Sequence, residues 1–267
     1  MSLQLIAILI LCGIFTNLMS AVLGIGGGVL MVPILYSLFP DFPLQMVAAT
    51  SLTIVIGSAC INLFHFYKQH IAIDLKAVMG WSLAMIVGVQ LGFESSFYLT
   101  DSVVIAVFVG TLSLLAVRTL LGTTKKQNGI KGQNDLFKGA GLCLFGGVIA
   151  GMTGIGGGSI MAPLIGRLNS VKPQQIAPYT NAMMIIGGLG SLYGYLAKTP
   201  NYYLAGSWQI GYVNFSVVMI VIGAVFITGF FSMKIRGRLA PELTQKLLGI
   251  ILLVIASYMV GSYYLKN

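Results

Sequence analysis

Along almost the whole chain, long apolar runs alternate with breaks of only a few polar residues. Successive runs of around 20 apolar residues predict helices that cross a bilayer. Five segments are read in each half. In the first they cover 3–23, 29–39, 44–67, 75–93 and 102–121; in the second, 136–152, 159–167, 173–197, 209–233 and 243–264. The second segment of each half is too short to span. Roughly ten helical residues rise about 15 Å, half of the hydrocarbon core. A half-helix is expected there, either completed by extended glycine backbone or returning as a re-entrant hairpin.

Composition agrees with that pattern. Of 267 residues, 57% are hydrophobic and only 8% charged, too few to clothe a soluble core of this size. The net charge of +9 would suit nucleic acid, but the basic residues sit in short loops between apolar runs, where they report topology instead. Cys12, Cys60 and Cys143 lie inside apolar runs without metal-ligand spacing and read as small buried hydrophobes; no metal and no cofactor are expected. Met1 to Leu5 lack the basic start of a signal peptide, so the first run is expected to be retained.

Lys and Arg orient the segments. With residues 122–135 (Lys125, Lys126, Lys131) in the cytoplasm, thirteen of the fifteen basic residues fall inside and only Lys198 and Lys266 outside. Asp41, Glu94 and Asp101 line the outer side. Such a bias sets both termini outside the cytoplasm. The loop after the fourth segment is then acidic and outside in the first half, but basic and inside in the second (Lys234, Arg236, Arg238). The reading is an all-α polytopic membrane protein of two inverted repeats, 1–121 and 136–267, joined by a cytoplasmic linker. Inverted repeats place a ligand near the bilayer midplane.

A duplicated motif supports the two-repeat reading. Gly24-Ile25-Gly26-Gly27-Gly28, followed by Pro33, returns 130 positions later as Gly154-Ile155-Gly156-Gly157-Gly158, followed by Pro163. Pro43, Gln45, Thr50 and Gly57 match Pro173, Gln175, Thr180 and Gly187 in the same register. Four glycines in five positions each cost a helix about 1 kcal/mol. Irregular backbone at membrane depth is tolerated only when packed in protein or lining a wet cavity. Each run leads into apolar helix, whose first amides and dipole favour an anion. An anion site of backbone amides is preferred here over a purely structural break. Gly80, Gly88, Gly92, Gly110, Gly146 and Gly147 read instead as helix-packing positions.

The third segment of each half supplies the expected wall. Thr50 and Ser51, with Thr180 and Asn181, are favoured as substrate contacts beside Gly26, Gly27, Gly28, Gly156, Gly157 and Gly158. Ser51, Ser58, Asn62 and His65 share a helical face; for Ser58 and Asn62, cavity lining and interhelical hydrogen bonding both stand. Asn17 is a further candidate to face the cavity. His65 is a natural proton carrier, but its nearness to Lys68 and His70 favours an interfacial side chain. Gln90 sits mid-helix without an obvious partner, and Tyr36, Trp81, Tyr98, Trp208, Tyr263 and Tyr264 read as interfacial anchors. No acidic residue lies mid-segment, which tilts the substrate towards an anion.

With the doubled glycine motif, Pro33, Pro163 and Ala49-Thr50-Ser51, the chain resembles the TauE/SafE family of sulfite and organosulfonate exporters over essentially its whole length. The resemblance implies a secondary transporter of a small sulfur-containing anion (sulfite, sulfoacetate or another organosulfonate) in a bacterial inner membrane. The second half departs from the family pattern at Pro178-Tyr179-Thr180-Asn181, where Tyr179 and Asn181 are expected to reshape the pocket. A passive anion channel, or a permease for another small organic anion, is the alternative. An enzyme would need clustered His, Asp or Glu, and no catalytic residue is read. The expected partners are the anionic substrate and the lipid bilayer, not nucleic acid; homo-oligomers are compatible with the chain.

Overall fold

The computed structural model describes residues 2–23, 28–69, 71, 73–121, 135–155, 157–235 and 241–266. Among them lie ten helices and one hairpin of two-residue strands. The first five helices are α1 (Leu3–Leu23), α2 (Gly28–Leu38), α3 (Leu44–Lys68), α4 (Leu75–Tyr98) and α5 (Asp101–Leu121). They are followed by α6 (Asp135–Thr153), α7 (Gly158–Ile165), α8 (Pro173–Ala197), β1 (Gln209–Ile210), β2 (Val213–Asn214), α9 (Phe215–Ile235) and α10 (Pro241–Lys266). Six helices, α1, α3, α4, α5, α6 and α10, are long and apolar enough to cross a membrane. The protein is an all-α multi-pass membrane protein. The linker read at 122–135, apart from Asp135, lies outside the described residues, as do Arg236 and Arg238.

The two short helices are as short as expected. α2 has 11 residues and α7 has eight, each with a proline inside, Pro33 and Pro163. The ninth element differs from expectation. The apolar run from Gln209 opens as an antiparallel hairpin, with Ile210 opposite Val213, and the helix begins only at Phe215. Gly211 turns the hairpin at φ +54°, the left-handed backbone that a two-residue primed turn requires. The Asn214 side chain then caps α9, its Oδ1 accepting from the Val217 amide at 3.1 Å.

Most of the helix pairs recur on exchange of the two five-helix sets. α4 packs on α6 as α1 packs on α9, and α4 packs on α8 as α3 packs on α9. The pairs α3 with α8, α5 with α10 and α2 with α7 map onto themselves. The α3 span is 67% buried and α1 only 28%, so α3 is central and α1 peripheral. Large apolar side chains such as Leu11, Phe15, Leu83, Leu91, Leu114, Phe145 and Phe226 point outward, as lipid requires.

Contacts at the helix ends give directions. Gln45, at the start of α3, donates to the Ser96 carbonyl near the end of α4 at 3.2 Å, and Glu94 pairs with Lys198 just beyond α8 at 3.2 Å. α3 therefore starts at the end of the bundle where α4 and α8 finish, so α3 and α8 run in opposite directions.

Three sequence readings change. Trp81 and Tyr36 are buried rather than interfacial; the Trp81 indole N–H reaches the Leu136 carbonyl at 3.2 Å, whereas Tyr98, Trp208 and Tyr264 are exposed. Cys143 is buried, but Cys60 faces outward. Gly80 and Gly110 have open space where a side chain would be, while Gly88, Gly92, Gly146 and Gly147 do meet neighbouring helices.

Candidate functional site

The described end of the first glycine run, Gly28, packs on the second run at Ile155. Gly26, Gly27 and Gly156 lie outside the described residues, as does Gly24. Gly28, which opens α2, is packed so tightly on the second run that a Cβ there would fall 2.0 Å from the Ile155 carbonyl oxygen. Gly154 and Gly157 both take left-handed backbone, at φ +70° and +74°. A side chain at Gly154 would also strike the Ala48 backbone of α3, at 2.3 Å. Glycine is thus required here twice over, for conformation and for close approach.

Gly157 caps α7, and its carbonyl accepts from the amides of Ile160 at 3.1 Å and Met161 at 2.6 Å. The amides of Gly158 and Ser159 precede these bonds and are left as first-turn donors. Left-handed backbone followed by right-handed helix turns successive N–H groups to one side, a concavity suited to an anion. The sequence reading missed a residue at this point. Ser159 is 3% exposed, and its hydroxyl has no hydrogen-bond partner among the described residues. Ser82 and Ser191 share that condition, but both sit mid-helix, where a rotamer change reaches a carbonyl one turn back. Ser159 sits in the first turn, with the glycine break behind it. The matching position in the first half is Val29, so the donor belongs to one half only.

The predicted wall residues are all deeply buried, Thr50 and Ser51 at 0% exposure. Ser51 Oγ comes within 3.5 Å of the Gly28 carbonyl, at the limit of a hydrogen bond. Thr50 Oγ1 accepts from the Asn214 amide at 3.2 Å, tying the hairpin and the start of α9 to α3. Thr180 and Asn181 both donate to the Ala177 carbonyl, at 2.9 and 2.7 Å. Asn62 Nδ2 approaches Asn181 Oδ1 at 3.5 Å across the α3–α8 contact. Ser58 turns back to the Val55 carbonyl at 2.9 Å.

Other candidates lie further out. Asn17 donates to the Val225 carbonyl at 3.2 Å and to Thr228 Oγ1 at 2.8 Å, joining α1 to α9. His65 sits near the end of α3, its ring edge-on to Phe64 with Gly229 of α9 close by. Gln90 has a partner after all, the Gly190 carbonyl of α8. Tyr179 turns to α4, where its hydroxyl accepts from the Asp74 amide at 2.8 Å and its ring packs on Trp81. Met85 is the other residue that sequence reasoning passed over. Its flexible thioether lies against both Gly157 and Gly187, filling the space beside the break. A cleft of about 470 Å³ lined by Gln69, Ile71, Lys172, Gln174 and Gln175 opens where α3 ends and α8 begins.

A match to the model of the sulfite exporter TauE/SafE family covers residues 9–259, which include both glycine runs and every helix in whole or in part. The chain belongs to that family. It is 52% identical, over 97% of both chains, to a probable membrane transporter protein of Haemophilus influenzae. It is also 24% identical to one of Methanocaldococcus jannaschii over 96% of both chains, and 21% identical to one of Bacillus subtilis over 95% of this chain and 96% of that relative. No solved structure matches it. In this TauE/SafE chain Gly28, the last glycine of the first motif, therefore lies against Ile155 of the second.

Proposed function

We propose that the chain is a secondary transporter that exports a small sulfur-containing anion, such as sulfite, sulfoacetate or another organosulfonate. The carrying observation is the start of α7, where two first-turn amides and a Ser159 hydroxyl with no hydrogen-bond partner among the described residues follow Ile155, against which Gly28 packs. Oxygens of a tetrahedral or pyramidal oxyanion accept from all three donors, and the helix dipole adds to the attraction. The proposed substrate contacts are Gly26, Gly27, Gly28, Thr50, Ser51, Gly156, Gly157, Gly158, Thr180 and Asn181. The family description supplies the sulfur chemistry.

Alternating access between two inverted repeats is the proposed mechanism. It is supported by the exchangeable helix pairing and by the opposite directions of α3 and α8. The basic-residue bias supports a cytoplasmic linker and termini on the outer face of a bacterial inner membrane. The cleft beside Lys172 then opens to the cytoplasm and is the entry side for an exported anion. Proteoliposomes preloaded with unlabelled sulfite or sulfoacetate should accumulate the labelled anion by counterflow, with saturation. Flux that rises linearly with concentration and shows no counterflow would identify a passive channel and overturn the proposal.

A further inference from the structure

A second cleft, of about 460 Å³, lies between the start of α6 and the turn that follows α7, at the other end of α7 from Ser159. Asp135, Phe137, Lys138, Arg167, Leu168 and Asn169 are among its lining residues. Lys138 projects from the first turn of α6 and Arg167 from the turn after α7, so two cations share this cleft. The one carboxylate among the lining residues offsets only one of these charges. Asp135 accepts from the Ser170 amide at 2.8 Å, and the ion pair found among the described residues, Lys198 with Glu94, lies elsewhere. Two cations thus share one acid, which leaves the cleft with a net positive charge.

We propose that this cleft binds the headgroup of an anionic phospholipid. A phosphate oxygen pair would accept from the Arg167 guanidinium fork and give Lys138 a counter-charge. The volume lies in the range of small-ligand sites, and basic pockets between membrane helices suit lipid headgroups. Apolar surface beside the charges favours lipid over a free anion. Leu136 and Phe137 are 53% and 84% exposed at the start of α6, and Phe145 two turns on is 61% exposed. Acyl chains have an outward apolar face of α6 to follow, whereas a dissolved anion has no use for one.

The test uses the full chain purified in a neutral maltoside detergent. Its melting temperature is followed with short-chain phosphatidylglycerol, with phosphatidylcholine of the same chain length, and with inorganic phosphate. Phosphatidylglycerol alone should raise the melting temperature, by about 3 °C near saturation. The combined Lys138→Gln and Arg167→Gln variant, both side chains being exposed, should melt like the parent without lipid and lose that rise. Native mass spectrometry should show one fewer retained phosphatidylglycerol in the variant. An equal rise with phosphatidylcholine, an equal rise with phosphate alone, or an unchanged lipid count in the variant would each overturn the proposal.

Discussion

The seam between α4 and α6 and the seam between α1 and α9 hold equivalent places in the two five-helix sets, and they are built from different chemistry. In the first, bare backbones touch: side chains at Gly88 and Gly92 would fall 2.1 and 2.0 Å from the carbonyl oxygens of Leu144 and Val148. Side chains at Gly147 and Gly151 would fall 2.7 and 2.2 Å from the carbonyl oxygens of Met85 and Val89. In the second, Gly13 has looser neighbours, the nearest at 3.0 Å, and the close link is the Asn17 amide on Val225 and Thr228. Asn17 and Gly147 stand 130 positions apart, as the glycine runs do. Met85 and Val225 stand 140 apart, as the starts of α4 and α9 do at Leu75 and Phe215. Asn17 thus reaches the carbonyl that corresponds to the one Gly147 touches directly. In lipid no hydrophobic force drives helices together, so each crossing needs close packing or a hydrogen bond. The duplicated frame has kept the crossing and changed the means.

The sharpest way to break this comparison is to fill the glycine seam. Gly92→Val places atoms inside the Val148 carbonyl, and backbone on both sides cannot yield as a side chain would. A loss of about 3 kcal/mol or more is expected, seen as aggregation in size-exclusion chromatography and a lower melting temperature. A parent-like melting curve would mean the seam is not close-packed. Asn17→Leu should cost less, between about 0.6 and 1.7 kcal/mol, the range for polar contacts in membrane helices. A cost matching that of Gly92→Val would erase the distinction between the seams. Gly80→Ala is the smallest change, because its side chain would meet nothing within 4 Å. Thermal melting should show no loss and up to about 1 kcal/mol of gain from helix propensity.

The limits of sequence reading follow the same physics. Helices α3, α4 and α8 begin where their apolar runs begin, because Pro43, Asp74 and Lys172 interrupt those runs. The start of α9 was hidden, since Ile210, Tyr212 and Val213 lead without a charged residue into the apolar helix beyond. The readable signal was Gly211 followed by Asn214 as a cap. Among the packing glycines, Gly88 and Gly92 sit four apart, as do Gly147 and Gly151, and both pairs face a partner helix. Gly80 and Gly110 look alike in sequence, but a single helix does not reveal which face its neighbour covers. Ser159 was visible as the polar replacement of Val29. Its importance rests on burial without a partner among the described residues, which only the packed bundle discloses.

The central claim is that the start of α7 holds the anion, and Ser159→Ala tests it most directly. Binding of labelled sulfite and sulfoacetate to the purified parent and variant should be measured beside their melting temperatures. The account predicts one bound anion per chain in the parent, affinity about tenfold weaker in the variant, and equal melting temperatures. Equal affinity in the two proteins would contradict it and return the second glycine run to a purely structural role.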